Sequence, residues 1–494
     1  MKRLLLAVSV AFVAGLGLLA AVSATGSPSP NAGSAAVSRQ HTFAGYHQIW
    51  SRALDANADS SAIFLKNVHL TGRRTANLVV VVAGNNTSDC DPGNPVRRAT
   101  TYAFNAVDGK LVWSRSTSGK GRCTTAGAAA AGAWVYAPGL DGRVHRYAAA
   151  SGTEYRRDGW PKPFTLMPYV EKASSSLRVS GKYLYVATSG FIGDAGHYEG
   201  HLVTINLSTG KSHVFNSLCS NIHVLLAASP GARNYCSATQ SGMFGRGQAA
   251  VDPQSGDVYV VTGNGPWNGS TNWGDSVLKL NPSGTRLLDA FTPRNQSYLN
   301  QSDLDLGSSG TAVLPTVKVA GKAYHLATQA GKGPAPSGGP VAIYLLNRDR
   351  LGSKPGPGHL GGSLQTLSTP GGGEVLTAPA VWKTAAGGAW VFYGDDSALG
   401  GFALRTKGVK RPRLVARWTV RGRFTTPVVS GNVLYVATDG AVEARSPLTG
   451  RLLWSSASGS GGTIGSIHWQ YPLVAGHMIF MTDENARLYA YKLK

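Results

Sequence analysis

A short turn closing on glycine recurs along this chain, and a strand bearing tryptophan follows several of its copies. The turn stands at Val107-Asp108-Gly109-Lys110, Ala150-Ser151-Gly152-Thr153, Ser208-Thr209-Gly210-Lys211, Pro282-Ser283-Gly284-Thr285 and Leu448-Thr449-Gly450-Arg451. Trp113, Trp418 and Trp454 occupy matching strands, in LVWSR, ARWTV and LLWSS. The tightest spacings are 43 residues, Gly109 to Gly152, and 42, Gly408 to Gly450. A period of this size fits a four-stranded propeller blade, and a tryptophan there is large enough to wedge between adjacent sheets.

The stretch 423–458 reads as one whole blade. TTPVVS, NVLYVAT, AVEARSP and RLLWSS are short strands separated by Gly431-Asn432, Asp439-Gly440 and Leu448-Thr449-Gly450. β-branched and aromatic runs between Gly, Asn and Asp turns make an antiparallel meander. One such sheet cannot cover both its faces, so it implies neighbours. The expectation is an all-β, eight-bladed β-propeller of four-stranded antiparallel sheets, with seven blades as the alternative count. The blades fall at 63–116, 124–164, 170–218, 246–293, 305–352, 371–420, 423–458, and 467–494 completed by 42–54. The last 28 residues supply only three strands, whereas His47-Gln48-Ile49-Trp50-Ser51-Arg52 resembles the outer strand of a blade. The N-terminal strand is therefore expected to close the ring and remove its exposed edges.

Residues 1–24 read as an export signal. Lys2 and Arg3 precede an apolar run, and Val22-Ser23-Ala24 offers small residues for cleavage after about Ala24. Residues 25–41 read as a disordered lead-in, and 42–494 as a single propeller domain in a secreted, soluble, monomeric protein. The formal charge of +22 falls to +20 without Lys2 and Arg3. That basicity favours acidic surfaces such as wall polymers and anionic glycans. No nucleic-acid module is present, and no later segment is apolar enough to span a bilayer.

Four cysteines in an exported chain allow two disulfides in three pairings. Cys90 in a second-to-third strand loop and Cys123 in the next blade connection share one face, while Cys219 and Cys236 share one connection. The expected pairs are Cys90–Cys123 and Cys219–Cys236. The long insertions 84–98, 189–200, 218–245, 263–275, 292–305 and 329–340 map to that same face, whereas 350–373 does not. Loops on a rigid scaffold are where binding sites concentrate.

The segments GRGQAAVDPQSGDVYVVTGNGPWNGSTNWGDSVLKLNPSG (245–284) and FTPRNQSYLNQSDLDLGSSGTAVLP (291–315) resemble secreted propellers with pyrroloquinoline quinone (PQQ)-type repeats. These belong to the quinoprotein alcohol dehydrogenase-like superfamily, in a group of unassigned activity. In the working dehydrogenases a Ca²⁺ ion held by Glu and Asn polarises the quinone and an Asp acts as base. The resemblance places the Asn at Asn264 and the Asp near Asn300, Asp303 or Asp305. It places the Glu at Ala195, beside Asp194, and an aromatic floor at Phe244. An adjacent Cys-Cys pair common in that class is missing.

Bland roles exist for the same residues. Asn264 between two glycines suits a left-handed turn, and Asp303 and Asp305 can cap backbone amides ahead of the next strand. The leading expectation is thus a non-catalytic exported module, with no cofactor, that binds a protein, glycan or acidic surface polymer through its insertion-rich face. The alternative is a PQQ- and Ca²⁺-dependent dehydrogenase using Asp303 or Asp305 as base, Phe244 and Asn264 for the quinone, and Asp194, Asn264 and Asp303 for the metal.

Overall fold

The computed structural model describes residues 24–25, 45–72, 74–86, 90 and 95–494. The export signal, save Ala24, nearly all of the lead-in and most of the Asp89-to-Asn94 loop lie outside these residues. Each blade is an antiparallel sheet whose strands pair in chain order, and eight such sheets make the propeller. The expected blade limits agree with the strands in seven of the eight. In the first, Ile63–His69, Thr75–Ala83, Ala99–Asn105 and Leu111–Thr117 run from the axis outward. In the seventh, Val428–Ser430, Val433–Thr438, Ala441–Arg445 and Leu452–Ser455 match the four runs read from sequence.

Blade five departs from the expected 305–352. Its outer strand is Gln365–Ser368, because residues 350–364 make a long excursion before it. Between its first and second strands the chain also builds a separate hairpin, Val317–Val319 with Lys322–Tyr324. That hairpin stands between Ala312–Val313 and Leu326–Pro334.

The ring closes as the sequence implies. Tyr46–Ala53 pairs antiparallel with Arg487–Leu493, the third strand of blade eight. Trp50 enters the core between blades eight and one, against Phe104 and Phe480. Closure gives the last sheet its missing outer strand and covers the edge of Arg487–Leu493.

Three wedge tryptophans dock on the glycine turn of the following blade, while Trp454 packs against Gly45, Tyr46 and Tyr491 of blade eight. Trp50 Nε1 donates to the Ala106 carbonyl at 3.1 Å, Trp113 Nε1 to Ala149 at 2.8 Å and Trp418 Nε1 to Pro447 at 3.0 Å. The glycines beneath, Gly109, Gly152 and Gly450, have φ of +67°, +67° and +70°. A Cβ at these positions would lie 2.6–2.7 Å from the indole. The turn needs glycine twice over, for its left-handed backbone and for the ring it receives. This contact ties three pairs of neighbouring blades; at Gly210 and Gly284, whose turns share the left-handed backbone, Lys162 and Thr204 stand where the ring would be.

Both disulfides join the expected partners, Cys90–Cys123 and Cys219–Cys236, with Cα separations of 5.3 and 5.9 Å. Two disulfides fit an oxidising, extracytoplasmic compartment. Among the described residues no helix is long and apolar enough to cross a membrane.

Candidate functional site

The insertion-rich loops meet over one end of the disc axis and enclose a cavity of about 580 Å³. Its walls come from blade connections and second-to-third loops of distant blades. They include Asp194, Phe244, Asn264, Asp303, Asp305 and Trp469. The residues that the resemblance singled out therefore share one wall system. Asn300 also faces this space, and Ala195 does not: the carboxylate at that place is Asp194. Residues 192–194 form a tight turn in which Gly193 and Asp194 are both left-handed.

Asn264 is buried, with 4% of its surface exposed. Its backbone is not left-handed, so the expected turn role is not what it does. Its side-chain nitrogen donates to Asp303 Oδ1, and its backbone N–H donates to Asp305 Oδ1 at 2.9 Å. The carboxylate of Asp303 fixes which end of the amide is the donor. Asn264 Oδ1 is left buried and without a hydrogen-bond partner. An orphaned buried acceptor costs about 1–3 kcal/mol unless something else satisfies it.

The two aspartates of the DLD segment divide the work. Asp305 is buried and fully engaged, with Oδ1 on the Asn264 amide and Oδ2 on Lys332 Nζ at 2.6 Å. It does cap a backbone amide, but one in another blade. The amide of Leu306, ahead of the next strand, is instead capped by buried Asp275 at 3.0 Å. Asp303 is exposed, held in a left-handed conformation at φ +56°, and accepts from the Asn264 side-chain amide. Asp194 accepts from the Tyr198 hydroxyl at 2.5 Å on Oδ1. Burial raises the pKa of Asp194, and the nearby charges of Asp305 and Asp303 add to the rise. Glu374, on the same cavity, is raised first by burial and then by Asp396, Asp305 and Asp303. A cation among these groups would relieve that repulsion.

Two further features shape the space. Phe244 lies against Gly242 and Gly263, where a Cβ would come within 2.9 and 3.0 Å of its ring. A Cβ on Gly263 would also strike Asp305, so glycine there lets the aromatic floor and the Asp305 anchor approach together. Opposite, the Arg246 guanidinium sits 3.1 Å from the centre of the Trp469 ring. The Cys90–Cys123 bridge packs under Phe191, a cavity residue. This disulfide joins residues 33 apart and supports the wall, although no adjacent Cys-Cys pair exists.

Sequence reasoning missed Lys332, Glu374, Arg246 and Trp469. Lys332, Glu374 and Trp469 lie outside the segments that carry the resemblance, Arg246 opens one of them, and the four reach the cavity from different places in the ring. It also missed Asp59, His468 and Glu484, whose ligating atoms lie within 4.8 Å of one another at the closure seam. Their carboxylates already accept from Asn85, Asn57 and Gln470 side-chain amides.

The sequence matches the profile of a PQQ-repeat family described as outer membrane protein assembly factor BamB, over residues 97–296 and 380–494. The chain belongs to that family. No curated protein matches it significantly. Among solved structures, this BamB-family chain superposes on a quinohemoprotein alcohol dehydrogenase from Pseudomonas putida with a TM-score of 0.61 and 13% identity, covering 92% of this chain and 78% of the other. The corresponding enzyme from Comamonas testosteroni gives 0.58 and 13%, covering 91% and 77%. A europium-containing methanol dehydrogenase gives 0.58 and 12%, covering 91% and 93%. At such identities the likeness establishes the quinoprotein-like propeller architecture, and the chemistry has to be argued from the cavity.

Proposed function

We propose that the cavity over the disc axis holds a PQQ-type quinone with a metal cation, and that the exported protein is a quinone-dependent alcohol dehydrogenase. The observation that carries this reading is Asn264 Oδ1, a buried acceptor with no partner, beside Asp303 and in the same cavity as Asp194. An amide oxygen and carboxylates lining one cavity are the donor chemistry that Ca²⁺ and similar hard cations select. Asn264 and Asp194 would hold the cation. A Ca²⁺ ion takes about six to eight oxygens, so the quinone and solvent would supply the remainder. Phe244 would floor the quinone, and Lys332 and Arg246 offer cationic donors to its acidic groups.

A quinone held there with a cation would supply the acceptor for the hydride equivalents of an alcohol. The protein's own part is to place a base and exclude water. Asp305 is tied to Lys332 and Asn264, so it positions the wall. Asp303 has fewer ties and is the residue suited to take the alcohol proton on a carboxylate oxygen. The insertions on this face then have a reason: they build the roof of a cavity.

The non-catalytic reading, a scaffold docking a protein, glycan or acidic polymer on this face, uses the same surface but leaves the Asn264 oxygen without a role. Dye-linked oxidation of small alcohols by the full chain, supplied with PQQ and Ca²⁺, separates the two. Turnover abolished by Asp303→Asn, with quinone still bound, supports the dehydrogenase. Tight quinone binding without turnover on any alcohol would reject it.

A further inference from the structure

A second cavity lies away from the axis, between the outer strand of blade four and the outer half of blade five. It has a volume of about 470 Å³, and the excursion 350–364 forms much of its wall. This is the one long insertion that does not belong to the cavity-bearing face. Three arginines line it: Arg294, Arg350 and Arg411. No aspartate or glutamate lines it. All three arginines are exposed, and among the described residues none of their guanidiniums forms an ion pair or a hydrogen bond. They come from three separate segments, so the cluster is made by the fold and not by a local basic run. Tyr344 also lies in the wall, 3% exposed, with its hydroxyl buried and unpartnered.

Elementary electrostatics opposes this arrangement in an empty state. Three like charges around one concavity repel, whereas the axial cavity places four carboxylates among its cations. Guanidiniums with free forks bind phosphate and carboxylate bidentately. Pro293 and Pro336 supply apolar wall beside the charge. A volume of this size suits a small organic ligand better than a lone ion.

We propose that this lateral cavity is a binding site for an anionic saccharide unit, of the size of a sugar phosphate, held by Arg294, Arg350 and Arg411. The site is independent of the axial cavity and of any oxidation there. It gives the chain a place to grip a phosphate-bearing surface polymer while the axial face stays open.

The test is calorimetric titration of the full chain with glucose 6-phosphate, with glucose and inorganic phosphate as comparisons, in phosphate-free buffer. The expected result is saturable binding of glucose 6-phosphate, at least tenfold weaker binding of glucose and of phosphate, and loss of at least tenfold in Arg294→Gln/Arg411→Gln. A control pair, Arg421→Gln/Arg451→Gln, removes the same charge from exposed positions outside the cavity and should retain the binding. Equal loss in both pairs would mean a response to net charge and would overturn the site. Absence of binding at millimolar glucose 6-phosphate would overturn it too, and phosphate binding as tight as the sugar phosphate would overturn its saccharide character.

Discussion

If the wedge tryptophans join the blades, Gly152→Ala should cost much more than a left-handed glycine elsewhere. Gly152 has φ +67°, and its added methyl would lie 2.7 Å from the Trp113 ring. A left-handed alanine costs about 1–2 kcal/mol. Overpacking a filled contact adds about 1–3 kcal/mol. Gly181 supplies the control: φ is +55° and nothing lies within 4 Å of a Cβ there. Gly181→Ala should therefore show only the backbone part, leaving a difference of about 1–3 kcal/mol due to the indole. Trp113→Ala removes the ring and its bond to Ala149 and should cost about 3–5 kcal/mol. In the double variant the alanine methyl enters vacated space, so the two losses should fall short of additive by about 1–3 kcal/mol. Equilibrium urea unfolding followed by far-ultraviolet circular dichroism reads these differences. Equal losses for Gly152→Ala and Gly181→Ala, or strict additivity, would refute the docking argument.

Two other outcomes follow from the same structure. Deleting residues 45–53 exposes the Arg487–Leu493 edge and the slot filled by Trp50, so the truncated protein should aggregate on size-exclusion chromatography; a monomer of unchanged melting temperature would contradict closure. Burial, with the Glu171 carboxylate, pushes Glu199 up to about 8. A raised carboxyl pKa stabilises the fold fully below the unfolded value of about 4.5 and loses that contribution as pH rises towards 8. Urea midpoints should therefore decline over that window, and Glu199→Gln should flatten the decline; an unchanged slope in the variant would assign it elsewhere.

Much of the fold was legible because a propeller repeats local rules. The glycine turn, the wedge tryptophan and the two-residue period of each strand all act within about forty residues, so blades, closure by Trp50 and cysteine faces follow from spacing. Blade five was misread for the same reason. Residues 317–324 pair locally and look like a turn between blade strands, while the true outer strand waits beyond a glycine-rich excursion with no turn signature. The site was half legible. Asn264, Asp303, Asp305, Asp194 and Phe244 were found by resemblance, but their convergence depends on how loops of separate blades meet over the axis. Strand periodicity says nothing about that. Lys332 was invisible because an inward lysine near a strand end looks like surface charge until Asp305 is placed beside it.

The direct test of the axial site is equilibrium binding of PQQ to the full chain, titrated with and without Ca²⁺ and followed by quenching of protein fluorescence. The account predicts one quinone per chain, bound at least tenfold more tightly with Ca²⁺, and loss of that calcium dependence in Asn264→Ala with its thermal stability retained. Quinone binding that ignores Ca²⁺, or an Asn264→Ala variant that binds as the parent does, would contradict it.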